Sequence, residues 1–363
     1  MQPWERARSG PRQPEPAEKP YVLLPFATEK PERAVPPGHG LLATVEGGRT
    51  VAGVLHFTLS TLTPLHVALG VVGPAHCVQR EEFASLPAQV RRYSEAKVRP
   101  VPILPGSSLK GAVRSVVEAV SPSCLPVMEV QMEKAVSQYP GRCSDPHQLC
   151  PACRLFGNTR YAGHVLFRDL FFKPEELMLY NTPHLWQPGR RNGFKKRYIA
   201  CGRPAGRKVY YHRTPAEPPS NLERRELIRD RAQASGQLVF EGVRPADLGL
   251  LLAALGVDPA APFPIKVGGG KPVGLGSVRI EVTELLLLTG ESVRTQLRQA
   301  GRLGTSALPR GETHLTGEAL TTWLRAQIEE SIRTGALMPD AYARLRAAYS
   351  VDGLKKQAPS GPY

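Results

Sequence analysis

The chain has 363 residues, with 47 Lys and Arg against 32 Asp and Glu and a formal net charge of +15. That length admits one or two compact units with a sizeable core, and the cationic surplus favours a polyanionic partner over an acidic or neutral one. No run of about 18 apolar residues is present to span a bilayer, and Met1-Gln-Pro-Trp-Glu-Arg6 lacks the apolar core of a secretion signal, so a cytoplasmic protein with no membrane partner is expected.

Residues 1–40 carry nine prolines and almost no apolar periodicity, which predicts a flexible arm. Leu41–Val45, closed by Glu46-Gly47-Gly48, and the alternating Val54–Leu62 predict a strand pair that opens the folded region. After Leu104-Pro105-Gly106, Ser107 and Ser108 are candidate caps for a helix whose apolar positions recur at Leu109, Val113, Val116, Val117 and Val120, leaving Lys110 and Arg114 on another face. Gly163–Phe172 and Gly236–Gly242 read as strands, Asp247–Leu255 as a helix and Val278–Thr283 as a last core strand. The order strand, helix, strand, strand, helix, strand suits an antiparallel sheet with helices on one face, an α+β fold with a ferredoxin-like or RRM-like core over 41–288. Within it, 121–160 is expected to be a metal-binding insertion and 173–235 a basic insertion, too long for an ordinary connection. Residues 289–363 are expected to form a helical extension, with helices at 291–302, 316–334 and 340–349. The stripe Leu320, Trp323, Leu324, Ile328 and Ile332 suits either the chain's own core or a partner.

Six cysteines in a chain of this length, four of them clustered, suit metal ligation in a reducing compartment rather than a disulfide framework. Zinc takes four thiolate or imidazole ligands in a tetrahedron, and Cys150-Pro-Ala-Cys153 supplies two of them from one tight turn. Cys143 and Cys124 complete the set, with His147 as an alternative to Cys124 and buried free cysteines as the competing account. Four protein ligands leave no open position, so such a zinc would be structural.

Three segments suit a phosphate backbone. Gly106-Ser-Ser-Leu-Lys-Gly111 lies where a turn enters a helix, so free N–H groups, Lys110 and Arg114 could meet phosphate; an ordinary capped helix is the alternative. The glycines at 268, 269, 270, 274 and 276 would let a nucleic-acid strand lie on the main chain beside Lys271, or simply mark a turn. From Asn181 to Arg213, Arg190, Arg191, Lys195, Lys196, Arg197, Arg203, Arg207, Lys208 and Arg213 interleave with Trp186, Phe194, Tyr198, Tyr210 and Tyr211, with no acidic residue. Charge for a backbone and flat faces for unstacked bases occur together there, although a protein surface would use similar residues.

Together these residues resemble the repeat-associated mysterious protein (RAMP) superfamily, in particular the backbone subunits of type III CRISPR effector complexes. The resemblance is carried by Leu62-Thr-Pro-Leu-His66, Ile103-Leu-Pro-Gly-Ser-Ser-Leu-Lys-Gly111, Cys150-x-x-Cys153-Arg-Leu-Phe-Gly157, Val165-x-Phe-x-Asp169 and the loop Gly268–Gly276, over about residues 50–283. It implies a subunit that coats CRISPR guide RNA, meets complementary target RNA and contacts other effector-complex subunits, with a thumb-like hairpin over Asn181–Arg213, including Gly206–His212, within the 173–235 insertion. It further implies guide contacts from Ser107, Ser108, Lys110, Arg114, Gly269, Gly270 and Lys271, and a supporting rather than catalytic Asp169. Cleaving members use an aspartate between the first strand and the helix, assisted by a divalent ion, yet Thr63–Lys110 contains none. Glu81, Glu82 and Glu95 are the carboxylates that could stand in, holding Mg2+ or Mn2+. A metal-dependent endoribonuclease and an assembly or capping subunit are therefore the alternatives to a purely RNA-binding role.

Overall fold

The computed structural model describes residues 19–26, 33–39, 44–45, 48–78, 82–94, 97–124, 142–183, 185, 199–200, 203–204, 206–216, 223–288 and 313–360. The chain is a mixed α+β protein. Its N-terminal part runs β1 (Tyr21–Leu24), β2 (Val51–Thr61), β3 (Ala68–Pro74), β4 (Phe83–Pro87), β5 (Gln89–Ser94), β6 (Lys97–Leu104) and α1 (Gly106–Val120). The middle adds α2 (Pro151–Phe156), β7 (Val165–Phe167), β8 (Leu170–Phe171), β9 (Leu177–Thr182), β10 (Arg207–Tyr210), β11 (Glu223–Ile228), β12 (Gln233–Val243) and α3 (Pro245–Ala254). The chain then forms β13 (Ile265–Lys266), β14 (Ser277–Leu288), β15 (Thr313–Leu315), α4 (Gly317–Arg333) and α5 (Pro339–Ala348).

Period-two burial on β2 sets the central sheet: Leu55, Phe57 and Leu59 face the core while Val54, His56, Thr58 and Ser60 stay half-covered. The sheet order is β7-β12-β2-β14-β13, antiparallel at every pair, with β15 added to β14. Leu109, Val113, Val116 and Val117 of α1 and Leu248, Leu251 and Leu252 of α3 complete the core. A second sheet, β9-β11-β4-β3, leans on the first through the Leu65↔Ile228 bridge, and β8, β6 and β5 form a third.

Several sequence expectations need correction. The 1–40 arm is built into the fold wherever it is described: β1 pairs with β10, Tyr21 and Leu24 are buried, and Ala34 bridges Leu149. Farther on, His39 stacks on His164 and the Tyr161 hydroxyl donates to the Pro37 carbonyl at 2.9 Å. A short apolar segment can dock without periodicity of its own when a neighbouring strand offers an edge. The expected strand 163–172 is broken at Arg168-Asp169, because Asp169 turns away to serve α1. The C-terminal stripe, by contrast, packs as expected on the chain's own core: Leu320, Leu324 and Ile328 of α4 are buried against α3, with only Ile332 of that stripe well exposed. The expected helix at 291–302 lies outside the described residues.

Candidate metal centre and nucleic-acid interface

Cys124, Cys143, Cys150 and Cys153 come together although nearly thirty residues separate the first from the last. All four are buried, and their sulfurs lie within 4.8 Å of one another, close to the edge of a tetrahedron of thiolates around one ion. Cys124 Sγ is 3.6 Å from Cys153 Sγ. The backbone N–H groups of Cys124 and Cys150 donate to the sulfurs of Cys150 and Cys143, each at 3.4 Å. Hydrogen bonds from neighbouring thiols pull Cys150 far down and Cys143 to about 7, while Cys124 and Cys153, which supply such bonds, are pushed up. These four residues can therefore hold a metal ion. His147 is exposed and lies outside the cluster, so the fourth sulfur is that of Cys124.

Two ion-pair systems tie this centre to the core. On α2, Arg154 makes a two-pronged bond to the Asp247 carboxylate of α3 at 2.8 and 2.7 Å and a third bond to the Leu149 carbonyl. On α1, Arg114 bonds Glu118 at 2.9 Å, the Gly157 carbonyl and the Cys153 sulfur, and Arg207 meets the same Glu118 at 2.7 Å while reaching the Cys124 carbonyl. Arg114 and Arg207, candidates for RNA contact by sequence, thus spend their guanidinium groups inside the fold. Lys208 lies over the Tyr21 ring at 4.2 Å.

The entrance to α1 also differs from expectation. Pro105 occupies the capping position, Ser107 and Ser108 make no cap, and the Gly106 N–H donates instead to Asp169 Oδ1 at 2.7 Å. That placement gives Asp169 a supporting role: its negative charge sits at the positive end of the helix. Lys110 donates to the Val165 carbonyl at 2.9 Å, and burial lowers its pKa. Ser107 remains exposed.

In the 268–276 loop most glycines are required by the chain's own backbone. A Cβ at Gly276, whose φ is +76°, would lie 1.9 Å from the Val267 carbonyl oxygen, and one at Gly268 would lie 2.4 Å from that of His66. Gly269 differs: it is exposed, and its Cβ would first meet the His66 oxygen at 3.7 Å. The Gly269 N–H donates to that same oxygen at 2.8 Å. Below the loop Lys266, fully buried, donates to the Leu275 carbonyl at 2.9 Å, and desolvation followed by repulsion from Lys271 pulls its pKa down to about 7. Lys271 is held below the usual lysine range by burial; its carbonyl accepts from the Gly274 N–H at 3.3 Å, while its ammonium has no hydrogen-bond or ion-pair partner among the described residues.

A further cluster gave no signal in the sequence. Glu226 on β11 is wholly buried, and its carboxylate accepts the N–H groups of His76 and Cys77 and lies 2.9 Å from the His76 ring nitrogen Nδ1. Burial and Glu226 push the Cys77 thiol up to about 12. Buried beside them, His66 donates from Nδ1 to the Glu226 carbonyl at 3.1 Å and accepts from Ser85 Oγ at 3.3 Å; desolvation, aided by Arg225, lowers it to about 4. These residues come from segments about 150 positions apart, which no local spacing rule links.

Among the carboxylates considered for catalysis, Glu82 is paired with Arg224 at 2.9 Å, while Glu81 and Glu95 lie outside the described residues. Arg190, Arg191, Lys195, Lys196 and Arg197 also lie outside them. No helix among the described residues is long and apolar enough to cross a membrane.

Residues 58–279, more than half of the chain, match the family profile described as the RAMP superfamily, whose members are CRISPR-associated RNA-binding proteins. No curated protein matches the chain.

Proposed function

The chain belongs to the RAMP superfamily, and on that premise we propose that it binds CRISPR guide RNA as a backbone subunit of a type III-like effector complex, where it also meets complementary target RNA and neighbouring subunits. The proposed core is ferredoxin-like: β2, α1, β7, β12, α3 and β14 follow one another as strand, helix, strand, strand, helix, strand. In the sheet the first and third of these strands are neighbours, flanked by the fourth and the second. The four buried cysteines are proposed to hold a structural zinc, which supplies charge balance for crowded thiolates and joins segments far apart in sequence.

One observation carries the RNA reading: the exposed Gly269 backbone stands beside Lys271, a cation without an internal counter-charge, in a chain of net charge +15. Exposed main chain and an unpaired ammonium suit a ribose-phosphate strand recognised by charge and shape rather than sequence. Ser107 and Ser108 are proposed to add further contacts, with Arg190, Arg191, Lys195, Lys196 and Arg197 as a second surface, whereas Gly270 is buried against Leu275 and serves the loop's own packing. Lys110 and Arg114 are proposed to contribute through their position on α1 and the field they add, since their polar heads are bonded internally.

The test is titration of the full chain with unrelated single-stranded RNAs at several salt concentrations. Lys271→Glu is expected to weaken binding several-fold for every sequence and to flatten the salt dependence by about one unit of slope. Unchanged affinity would remove Lys271, and with it this placement of the RNA.

A further inference from the structure

We propose that Lys266, sealed beneath the glycine loop, is a charge-sensing residue of the RNA surface: it stands as a neutral amine in the free chain and becomes an ammonium when a phosphate strand lies on Gly269 and Lys271. RNA binding therefore takes up a proton, and acidity tightens it. The ligand rests on the RNA-binding reading above; the proton rests on how Lys266 is enclosed.

Lys266 lies on β13 with only 3% of its surface exposed. Its amino group donates to the carbonyls of Leu275 at 2.9 Å and Gly274 at 3.4 Å, and no carboxylate pairs with it among the described residues. A neutral amine has two N–H donors and an ammonium three. Two carbonyls therefore match the neutral form, whereas the charged form keeps a buried donor unmet and a charge without a counter-ion. Both are costly away from water. Loss of the proton is the usual escape of a buried lysine, and desolvation with repulsion from Lys271 brings this one to about 7.

The groups around the loop are neutral or positive. Lys271 is the source of the repulsion. After β10, His212 is buried and lowered to about 3 by desolvation and by Lys266 itself, so it carries no charge near neutral pH. Tyr349, at the end of α5 with its ring 5.0 Å from that of His212, is pushed up by burial and stays neutral too. His66, whose carbonyl takes the Gly269 N–H, is lowered to about 4, and Arg213 lies over the Tyr211 ring. On α1, which packs against β13, Lys110 is bonded to Val165 and the carboxylate of Glu118 is taken by Arg114 and Arg207.

A short path joins the two lysines. The Lys271 carbonyl accepts from the Gly274 N–H at 3.3 Å, and the Gly274 carbonyl accepts from Lys266. A phosphate beside Lys271 offsets the like charge that disfavours the Lys266 ammonium and attracts it across a poorly screened interior. The complex thus holds the proton more tightly than the free chain, and by linkage the protonated chain holds RNA more tightly. Above the free-chain value of about 7, affinity rises as pH falls, and it levels off below.

The experiment titrates the full chain with one single-stranded RNA between about pH 6 and about pH 9, with calorimetry in two buffers of different ionisation enthalpy to count protons. Affinity is expected to fall by up to about tenfold per pH unit on the alkaline side, the slope of a single proton, with matching proton uptake. Lys266→Met, which keeps length and packing without the charge, should abolish both the gain on acidification and the uptake. Should that chain fail to fold, Lys271→Gln provides the second test: without the like charge Lys266 rises in the free chain, and the uptake moves to higher pH. RNA bound without proton uptake, uptake that persists in Lys266→Met, or a pH window unmoved by Lys271→Gln would each overturn this inference alone. RNA that fails to bind at any pH would overturn the proposed function beneath it.

Discussion

The cysteine cluster and the loop around Gly269 both depend on backbone held at close quarters, yet they differ in what is left over. At the cysteines the surrounding polar groups are consumed within the fold: Arg154 by Asp247, Arg114 and Arg207 by Glu118, and two backbone N–H groups by sulfur. Around Gly269 the account stays open, with an unpaired Lys271, an exposed stretch of main chain and a half-exposed His76 within a few residues' reach. The first region closes on itself and serves stability. The second holds polar groups without a counterpart among the described residues, which suits the proposed RNA ligand.

If that contrast holds, the largest effects on stability belong to the cysteines. Cys150→Ser or Cys153→Ser should release bound metal, measured by elemental analysis, and lower unfolding free energy by more than about 4 kcal/mol, because metal binding and folding of this segment are one process. A variant that keeps its metal and its melting temperature would break the comparison at its stronger end. Next comes the buried pair: Arg154→Met alone leaves Asp247 charged without a partner and should cost about 3–5 kcal/mol in denaturant unfolding, while Arg154→Met with Asp247→Leu should recover most of the loss. Neither substitution should alter RNA affinity in chains that remain folded.

The same contrast explains what could be read without coordinates. The α+β pattern and the cysteine quartet were legible because their signals are local: the alternation of Leu55, Phe57 and Leu59, the helical recurrence of Leu109, Val113 and Val116, and the Cys150-x-x-Cys153 turn. Choosing Cys124 over His147 required the chain to fold back across about twenty residues, so spacing alone left both open. The fates of Lys110, Arg114 and Arg207 were not legible. A basic residue facing solvent and one reaching a carbonyl or a buried glutamate look the same in sequence, and their partners Val165, Gly157 and Glu118 lie elsewhere in the chain. The capping serines misled for a related reason: Asp169, 63 positions from Gly106, supplied the acceptor that a local serine would otherwise provide. Glu226 and His76 lay beyond sequence reasoning because a single buried carboxylate carries no periodicity.

The finest test lies within the glycine loop, where two glycines, 269 and 276, serve opposite ends of the comparison. Gly276 has φ +76° and would place a Cβ 1.9 Å from a backbone oxygen, so Gly276→Ala should destabilise the fold by about 2–4 kcal/mol. Gly269 has room, the first contact for its Cβ being 3.7 Å away, so Gly269→Ala should leave the melting temperature within about a degree or two of the parent. The added methyl nevertheless stands where a phosphate would approach the main chain, and RNA affinity should fall several-fold. A Gly269→Ala chain that binds RNA as tightly as the parent would mean that the loop is glycine-rich for its own folding alone, and the open account would have to be sought at Lys271 and His76 instead.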